Sequence, residues 1–443
     1  MRKYFTILIS FLVFLLVYFI DIGIPTPARH VLAVVILAGI LWFSEALPLH
    51  VTGLLIAFIL ATTTEMTTKQ VFQPFFDPII ALFLGGFSLA VAMQKYKLDE
   101  LIAKKFLEKV GTNPKSVLFG MMFVTAFLSM WISNTASTLI MISIAISILR
   151  KNKLKPLKSK YARALILGVA FSATIGGVGT IIGSPPNAIA VRFLSEQGIT
   201  VNFVEWMLFG LPFIVIALPL TWLVLLMFFK PEISNLTAIK YEEKTGSKQK
   251  IVLCIFLLTV MLWLTTSIHG ISASVVALVP IILLYLFGLF DMKDFSKINW
   301  PALILFGSGL SLGSAINFSG LDKILASYIN TVIFGQPLVF ILFSVALLGI
   351  ILTAFASNTA TAAIFIPIVI PLAFSVGIDT RLLTIFAAIS ISLDFIVPVG
   401  TPPNTVAYSS GYIKVKDMVK SGVLVTLTSA LILIFLFSIW LSL

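Results

Sequence analysis

Cysteine, histidine and acidic side chains are all scarce in this chain. Among 443 residues there are 18 Asp and Glu, three His and one cysteine, Cys254. A single cysteine excludes an internal disulfide framework. Because Cys254 lies in an apolar stretch, it is expected to be a buried, inert thiol. No cluster of His, Cys and carboxylate has metal-ligand spacing, so neither a metal centre nor an intramembrane hydrolase is supported. His30, His50 and His269 stand near the ends of apolar stretches and read as interfacial. No Walker-type phosphate loop occurs, which argues against ATP-driven pumping. Charge of either sign is thin too, at 11% of residues, against about 25% in soluble domains.

What fills the chain is apolar sequence: 59% of residues are hydrophobic and the mean hydropathy is +1.10. The composition is that of an all-α, polytopic membrane protein. A crossing helix needs roughly 17–25 apolar residues, and eleven stretches are candidates, one of them shorter than that: 4–20, 30–47, 51–64, 77–95, 162–195 (broken), 206–229, 251–267, 271–290, 301–318, 382–412 (broken) and 421–441. The first resembles a secretion signal, with Arg2 and Lys3 before it, but no convincing small-residue cleavage site follows, so it is expected to stay as a span.

The net charge of +12 would point to nucleic acid in a soluble protein. Here it reports sidedness. With the N-terminus in the cytoplasm, 25 of the 30 Lys and Arg fall on the inner side. The outer side holds Arg29, Lys69, Arg192, Lys323 and Arg381. The expected setting is a cell membrane, with lipid and a small solute as partners and no nucleic acid.

The chain repeats itself. Residues 83–99 read FLGGFSLAVAMQKYKLD and residues 306–322 read FGSGLSLGSAINFSGLD, an offset of 223. Ser-Asn-Thr recurs at 133–135 and 357–359, offset by 224; Gly-Ser-Pro-Pro-Asn at 183–187 returns as Gly-Thr-Pro-Pro-Asn at 400–404, offset by 217. Residues 1–229 form a first half, with scaffold helices in 1–76 and the first repeat in 77–229. Residues 230–250 are a cytoplasmic linker, and residues 251–443 hold the second repeat. By the sidedness count the repeats cross in opposite directions, an inverted repeat of the kind that places a transport site at the repeat interface. After each opening span comes an amphipathic stretch, with Leu98, Leu101, Ile102 and Phe106 on one face and Leu321, Ile324, Leu325 and Ile329 on the other copy's face. Each is expected to lie along the membrane surface.

Between Lys115 and Arg150 lie 34 residues with basic flanks, so they cross an even number of times. Two full spans and a turn need roughly 40 residues, which favours a re-entrant hairpin with Ser-Asn-Thr at its tip. The second copy repeats the arrangement from the other side, giving two hairpins.

Such tips supply hydroxyl and amide oxygens together with the free N–H groups of a helix start, which suit a carboxylate. At the facing breaks, Pro185–Pro186 and Pro402–Pro403 cannot donate backbone hydrogen bonds. Carbonyls near Gly183 and Gly400 are freed, and hard cations such as sodium take oxygen ligands of that kind. None of the four stretches contains Lys or Arg.

The paired motifs, matched halves and surface helices resemble the divalent anion:sodium symporter family of di- and tricarboxylate carriers, over almost the whole chain. The resemblance implies a homodimer of scaffold and transport domains moving as an elevator, with sodium as coupling ion and no organic cofactor. It implies one sodium site at Ser129, Ser133, Asn134 and Gly183, and another at Thr353, Ser357, Asn358 and Gly400. Substrate would meet Asn134, Thr135, Ser184, Pro185, Asn358, Thr359, Thr401 and Pro402. The expected activity is sodium-coupled symport of C4 dicarboxylates such as succinate, malate or fumarate. Alternatives are a dicarboxylate exchanger, an inorganic-ion carrier (sulfate, arsenite, sodium/proton exchange) and, from another class, a channel. Asp394, six residues before Gly400, departs from the family pattern. A carboxylate at membrane depth is a functional candidate: a proton-coupling group, an added cation ligand, or a group hydrogen-bonded within the bundle.

The charge count yields a direct test. In a Cys254→Ser background, single cysteines in the 150–160 loop are expected to react only with reagent inside, and those at 196–199 only with reagent outside. Labelling of both from one side would overturn the inverted arrangement.

Overall fold

The computed structural model describes residues 2–237, 246–355 and 357–442, and within these every regular element is helical. The chain begins with α1 (Arg2–Phe19), α2 (Thr26–Ser44), α3 (Leu49–Thr63) and the short α4 (Thr68–Phe72), which runs into a 3-10 turn. The first repeat follows: α5 (Pro78–Lys95), α6 (Leu98–Val110), the hairpin α7 (Pro114–Ser129) and α8 (Asn134–Lys151), the broken pair α9 (Lys160–Gly177) and α10 (Pro185–Glu196), and α11 (Phe203–Phe228). Then come α12 (Ser247–Leu264), α13 (Thr266–His269), α14 (Ala273–Val276), α15 (Leu278–Leu286) and α16 (Met292–Phe295). The second repeat is α17 (Trp300–Phe318), α18 (Leu321–Ile333), the hairpin α19 (Leu338–Phe355) and α20 (Asn358–Val376), the broken pair α21 (Thr380–Ile391) and α22 (Pro402–Ser409), and α23 (Val415–Trp440).

From α5 to α11 and from α17 to α23 the two series therefore match element for element, and each closes on a helix of 26 residues. Every expected crossing is a helix or a pair of helices. Seven described helices are long and apolar enough to cross a membrane singly, and shorter apolar helices accompany them. The protein is a multi-pass membrane protein.

Local sequence sets the boundaries. Asp77 caps α5 with Pro78 behind it, and Asn113 caps α7 with Pro114 in its first turn. Proline there forfeits an N–H that has no helical partner anyway. Ser159 caps α9, Asn202 caps α11 and Asp379 caps α21. The helices α6 and α18 also correspond in detail. Asp99 and Asp322 hold the same place in their first turns, and both are buried. Burial pushes the Asp99 carboxyl up to about 6 and raises that of Asp322 as well.

Two apolar cores carry the assembly. The smaller joins α1, α2 and α3 to Leu305, Leu312, Ala315 and Ile316 of α17, so the frame expected in residues 1–76 packs on a helix of the second half. The larger contains the hairpins, the broken pairs, α11 and α23. Arg192 of α10 pairs with Asp77 at the start of α5 and reaches Glu196 at 2.9 Å.

Two expectations need correction. Cys254 is exposed on α12 rather than buried. That helix turns Val252, Ile255, Phe256, Thr259 and Trp263 inward, and Cys254 falls on the outer, lipid-ready face. The linker also ends earlier than expected, because α12 starts at Ser247 and takes in Lys248 and Lys250. Its beginning is docked: the Leu236 N–H donates to the Thr112 carbonyl at 2.8 Å. Residues 238–245 of the expected linker lie outside the described residues.

The hairpin arm α7 lies so close to α9 that only glycine fits at one crossing. A Cβ on Gly176 would stand 2.5 Å from the Ala126 Cα and run into the Ala126 carbonyl, backbone that no rotamer change can move. Overpacking of this kind costs about 1–3 kcal/mol. Gly176→Ala is expected to lower the unfolding temperature of the purified protein, while Gly39→Ala, whose Cβ would meet nothing within 4 Å, is expected to leave it unchanged or higher. Equal temperatures for the two variants would contradict the described approach of α7 to α9.

Candidate functional site

The first hairpin meets the first break. At 16 residues, α7 is only about 24 Å long, short of a hydrocarbon core of roughly 30 Å. Its tip is held at the level of the break by side chains. Ser129 Oγ donates to the Ala173 carbonyl at 2.7 Å, and Thr180 donates to the Met130 carbonyl. Ser129 Oγ also bonds the Asn134 amide. One arm of that amide lies 3.1 Å from the Gly183 carbonyl oxygen and 3.2 Å from that of Ala173. As nitrogen, the arm donates to both. As oxygen, it joins them and Ser129 Oγ in a four-oxygen group that only a cation would reconcile. Gly177 makes the room, since a Cβ there would come 2.5 Å from Asn134 Oδ1.

Of the first expected sodium set, the structure thus brings Ser129, Asn134 and Gly183 together. Ser133 is half-buried, and its hydroxyl caps α8 by accepting the Ala136 N–H at 3.3 Å. In the second set, Thr353 Oγ1 donates to Asn358 Oδ1 at 2.7 Å, the counterpart of Ser129 and Asn134. Ser357 caps α20 through the Ala360 N–H at 3.2 Å. No described hydrogen bond ties Asn358 to Gly400. Against the Gly400 Cα lies the Asp394 carboxyl group, fully buried, so the second break holds an ionisable side chain that the first lacks.

The breaks themselves are braced by two asparagines that were not expected among the site residues. Asn187 Nδ2 donates to the carbonyls of Gly177 and Thr180 at 2.9 and 2.8 Å. Asn404 Nδ2 donates to those of Asp394 and Val397 at 3.3 and 3.0 Å. In both halves the partners lie ten and seven residues back. Both Oδ1 atoms are buried without a hydrogen-bond partner among the described residues. The only sequence signal was their place as the last residue of each duplicated stretch.

The residues expected to meet substrate occupy helix starts. Pro185 and Pro402 open α10 and α22, and Thr401 caps α22 through the Asn404 N–H at 3.5 Å. Ser184 Oγ lies 3.3 Å from Ser392 Oγ, linking one break to the other. Thr135 is half-buried and Thr359 buried, each in the first turn of its hairpin arm. The halves are interlocked there: α10 packs on α20 and α21, and α22 packs on α8 and α9. Helix starts, hydroxyls and freed carbonyls can hold anions and hard cations side by side with no cationic side chain present.

Matched helix breaks at membrane depth, braced by polar side chains, are the construction of a secondary transporter. The chain belongs to the family described as the sodium:sulfate symporter transmembrane region, which it matches over residues 1–443. It is a transport protein and not an enzyme. It is 36% identical over 444 residues to a Haemophilus influenzae transporter, covering 96% of this chain and 95% of the relative. It is 32% identical over 459 residues to the sodium-dependent dicarboxylate transporter SdcS of Staphylococcus aureus, covering 95% and 87%. Two solved structures share the fold: the YdaH transporter of Alcanivorax borkumensis (TM-score 0.59, 14% identity, 94% of this chain and 98% of that one) and MtrF of Neisseria gonorrhoeae (TM-score 0.59, 14% identity, 97% and 98%).

The asparagine braces can be tested directly. Asn187→Leu and Asn404→Leu keep the volume while leaving two break carbonyls without a donor, and each buried unpaired group costs about 1–3 kcal/mol. Both variants are expected to unfold at clearly lower temperature than wild type. Unchanged unfolding temperatures would show that these amides do not hold the breaks.

Proposed function

We propose that this protein is a sodium-coupled symporter of C4 dicarboxylates such as succinate, malate or fumarate. The observation that carries the reading is the duplicated meeting of hairpin tip and helix break, where Ser129 with Asn134 and Thr353 with Asn358 make the same contact. A relative of the same length class, SdcS, bears the name of a sodium-dependent dicarboxylate transporter.

In this reading each half supplies a cation cage and an anion-binding helix end. The cages are Ser129, Ser133, Asn134 and Gly183, and Thr353, Ser357, Asn358 and Gly400. The substrate's two carboxylates lie between them, one toward Asn134, Thr135, Ser184 and Pro185, the other toward Asn358, Thr359, Thr401 and Pro402. A dianion with two separated charges suits a site built twice. Asn134 and Asn358 touch both ligands, so sodium and substrate favour each other's binding by the same factor.

The hairpins, broken pairs, α11 and α23 share the larger core with α5, α12 and part of α17, whereas α1 to α3 pack mainly on the rest of α17. In this reading the hairpins and broken pairs move as an elevator, carrying the site past a frame that includes α1 to α3 and is held by a homodimer. The N-terminus is cytoplasmic in this arrangement. The family's description favours one other cargo, sulfate, a dianion without separated charges.

Purified protein in liposomes is expected to accumulate labelled succinate when an inward sodium gradient is imposed, with saturation, and not under a potassium gradient. If more than two sodium ions accompany each dianion, an inside-negative potential adds roughly 2.3 kcal/mol per net charge per 100 mV and speeds uptake. Uptake of sulfate with no competition from succinate would transfer the assignment to the inorganic anion. Succinate uptake that needs internal dicarboxylate and ignores sodium would make the protein an exchanger.

A further inference from the structure

Asp394 occupies the place that Gly177 holds in the first half. Each is the residue ten before the bracing asparagine, and each offers that asparagine its carbonyl. The two side-chain positions are used differently. Beside Gly177 the free space receives the Asn134 amide. In the second half Asp394 fills the space itself, and its carboxylate turns back onto Gly400, where a Cβ would overlap Oδ2. A carboxylate is thereby laid against the residue whose neighbourhood of freed carbonyls forms the second cage.

The carboxylate is incompletely satisfied. Asp394 is 0% exposed. Its Oδ1 accepts the Ile396 N–H at 3.1 Å, while Oδ2 has no hydrogen-bond partner among the described residues and none of the described ion pairs involves Asp394. A buried, unpaired carboxylate is strongly disfavoured unless a cation lies against it. Gly177, at the matching position of the first half, has no side-chain oxygen to offer.

We propose that the Asp394 carboxylate is a direct ligand of the cation held by the second half, so that the two duplicated cation sites differ in charge, neutral in the first and anionic in the second. The inference rests on the cation-coupled reading above. Its consequence is an order of binding. An anionic cage attracts a cation before any substrate arrives. A neutral cage gains most of its attraction once the negative substrate is beside it. The second site therefore fills in the absence of substrate, and the first fills with it.

The test reads cation binding without transport. Purified protein is titrated with sodium chloride, without substrate and at constant ionic strength held with choline chloride, while its unfolding temperature is followed. Wild type is expected to show saturable stabilisation. Asp394→Asn keeps the shape and is expected to raise the midpoint at least tenfold, with Asp394→Glu between the two. Should Asp394→Asn fold poorly, Asp394→Gly, which copies the first half, serves in its place and is expected to behave alike. A sodium midpoint in either variant equal to that of wild type overturns the proposal and leaves sodium symport standing. Parallel titrations with lithium and potassium separate the two ideas: if wild type responds only to another cation and Asp394→Asn loses that response, the carboxylate is the ligand and sodium is the wrong ion. A wild type stabilised by none of the three overturns the proposal.

Discussion

Hydrogen bonding of the main chain inside a bilayer governs this structure. Water is absent there, so each N–H and C=O released when a helix stops must find a partner within the protein. The chain stops helices at four such places, after Ser129, Gly177, Phe355 and Ile391. Serines and a threonine take up N–H groups at three of the restarts, and the fourth begins with proline, which has no N–H to satisfy. Asn187 and Asn404 gather the carbonyls on the other side of each break. The few carbonyls and amide oxygens left over are then available to ions. In the proposed reading the binding site is what that inventory leaves over.

Interlocking makes that remainder a single site. Because α10 lies on the second hairpin and α22 on the first, neither half can complete its surroundings alone. Each helix start is braced by helices from the other copy, so a shift in one break is felt in both. Ser184 and Ser392 touch where the breaks come nearest, and Phe171 meets Phe395 edge-on at 5.4 Å between centroids. Duplication gives two equivalent sets of donors, and small substitutions then make them unlike. Gly177 and Asp394 are the clearest instance.

Much of this was legible in the sequence, because expensive features leave conspicuous marks. Ser-Asn-Thr and Pro-Pro-Asn stand out in apolar surroundings, and their near-constant offset announces the two repeats. The eleven crossings follow from hydropathy alone. What escaped were relations that depend on which face a side chain takes or on what comes close in space. Cys254 sits in an apolar run like any core residue, and only the packing of α12 shows that it points outward. Ser133 and Ser357 use their hydroxyls to cap α8 and α20, a role that the Ser-Asn-Thr motif does not announce. The bracing amides were hidden because their partners lie seven and ten residues away, across the break, at spacings that no regular helix would favour. Arg192 and Asp77 pair across 115 residues, which no local pattern encodes.

The enclosure of α9 bears on how the protein is made. All of its residues except Lys160 and Arg163 are buried by other helices, and its neighbours are α7, α8, α11 and α22. It is rich in glycine, alanine and hydroxyl side chains, and it is not among the helices apolar enough to cross singly. Lipid is a poor host for such a segment, which gains little from hydrocarbon and carries polar groups that want partners. On the ribosome it emerges early, whereas α22, the last of its wrappings, is more than two hundred residues away. For most of synthesis this helix must therefore wait at the translocon or among its first neighbours, incompletely sheltered. A helix that carries one of the two breaks is thus also one whose insertion depends on the whole polypeptide having been delivered.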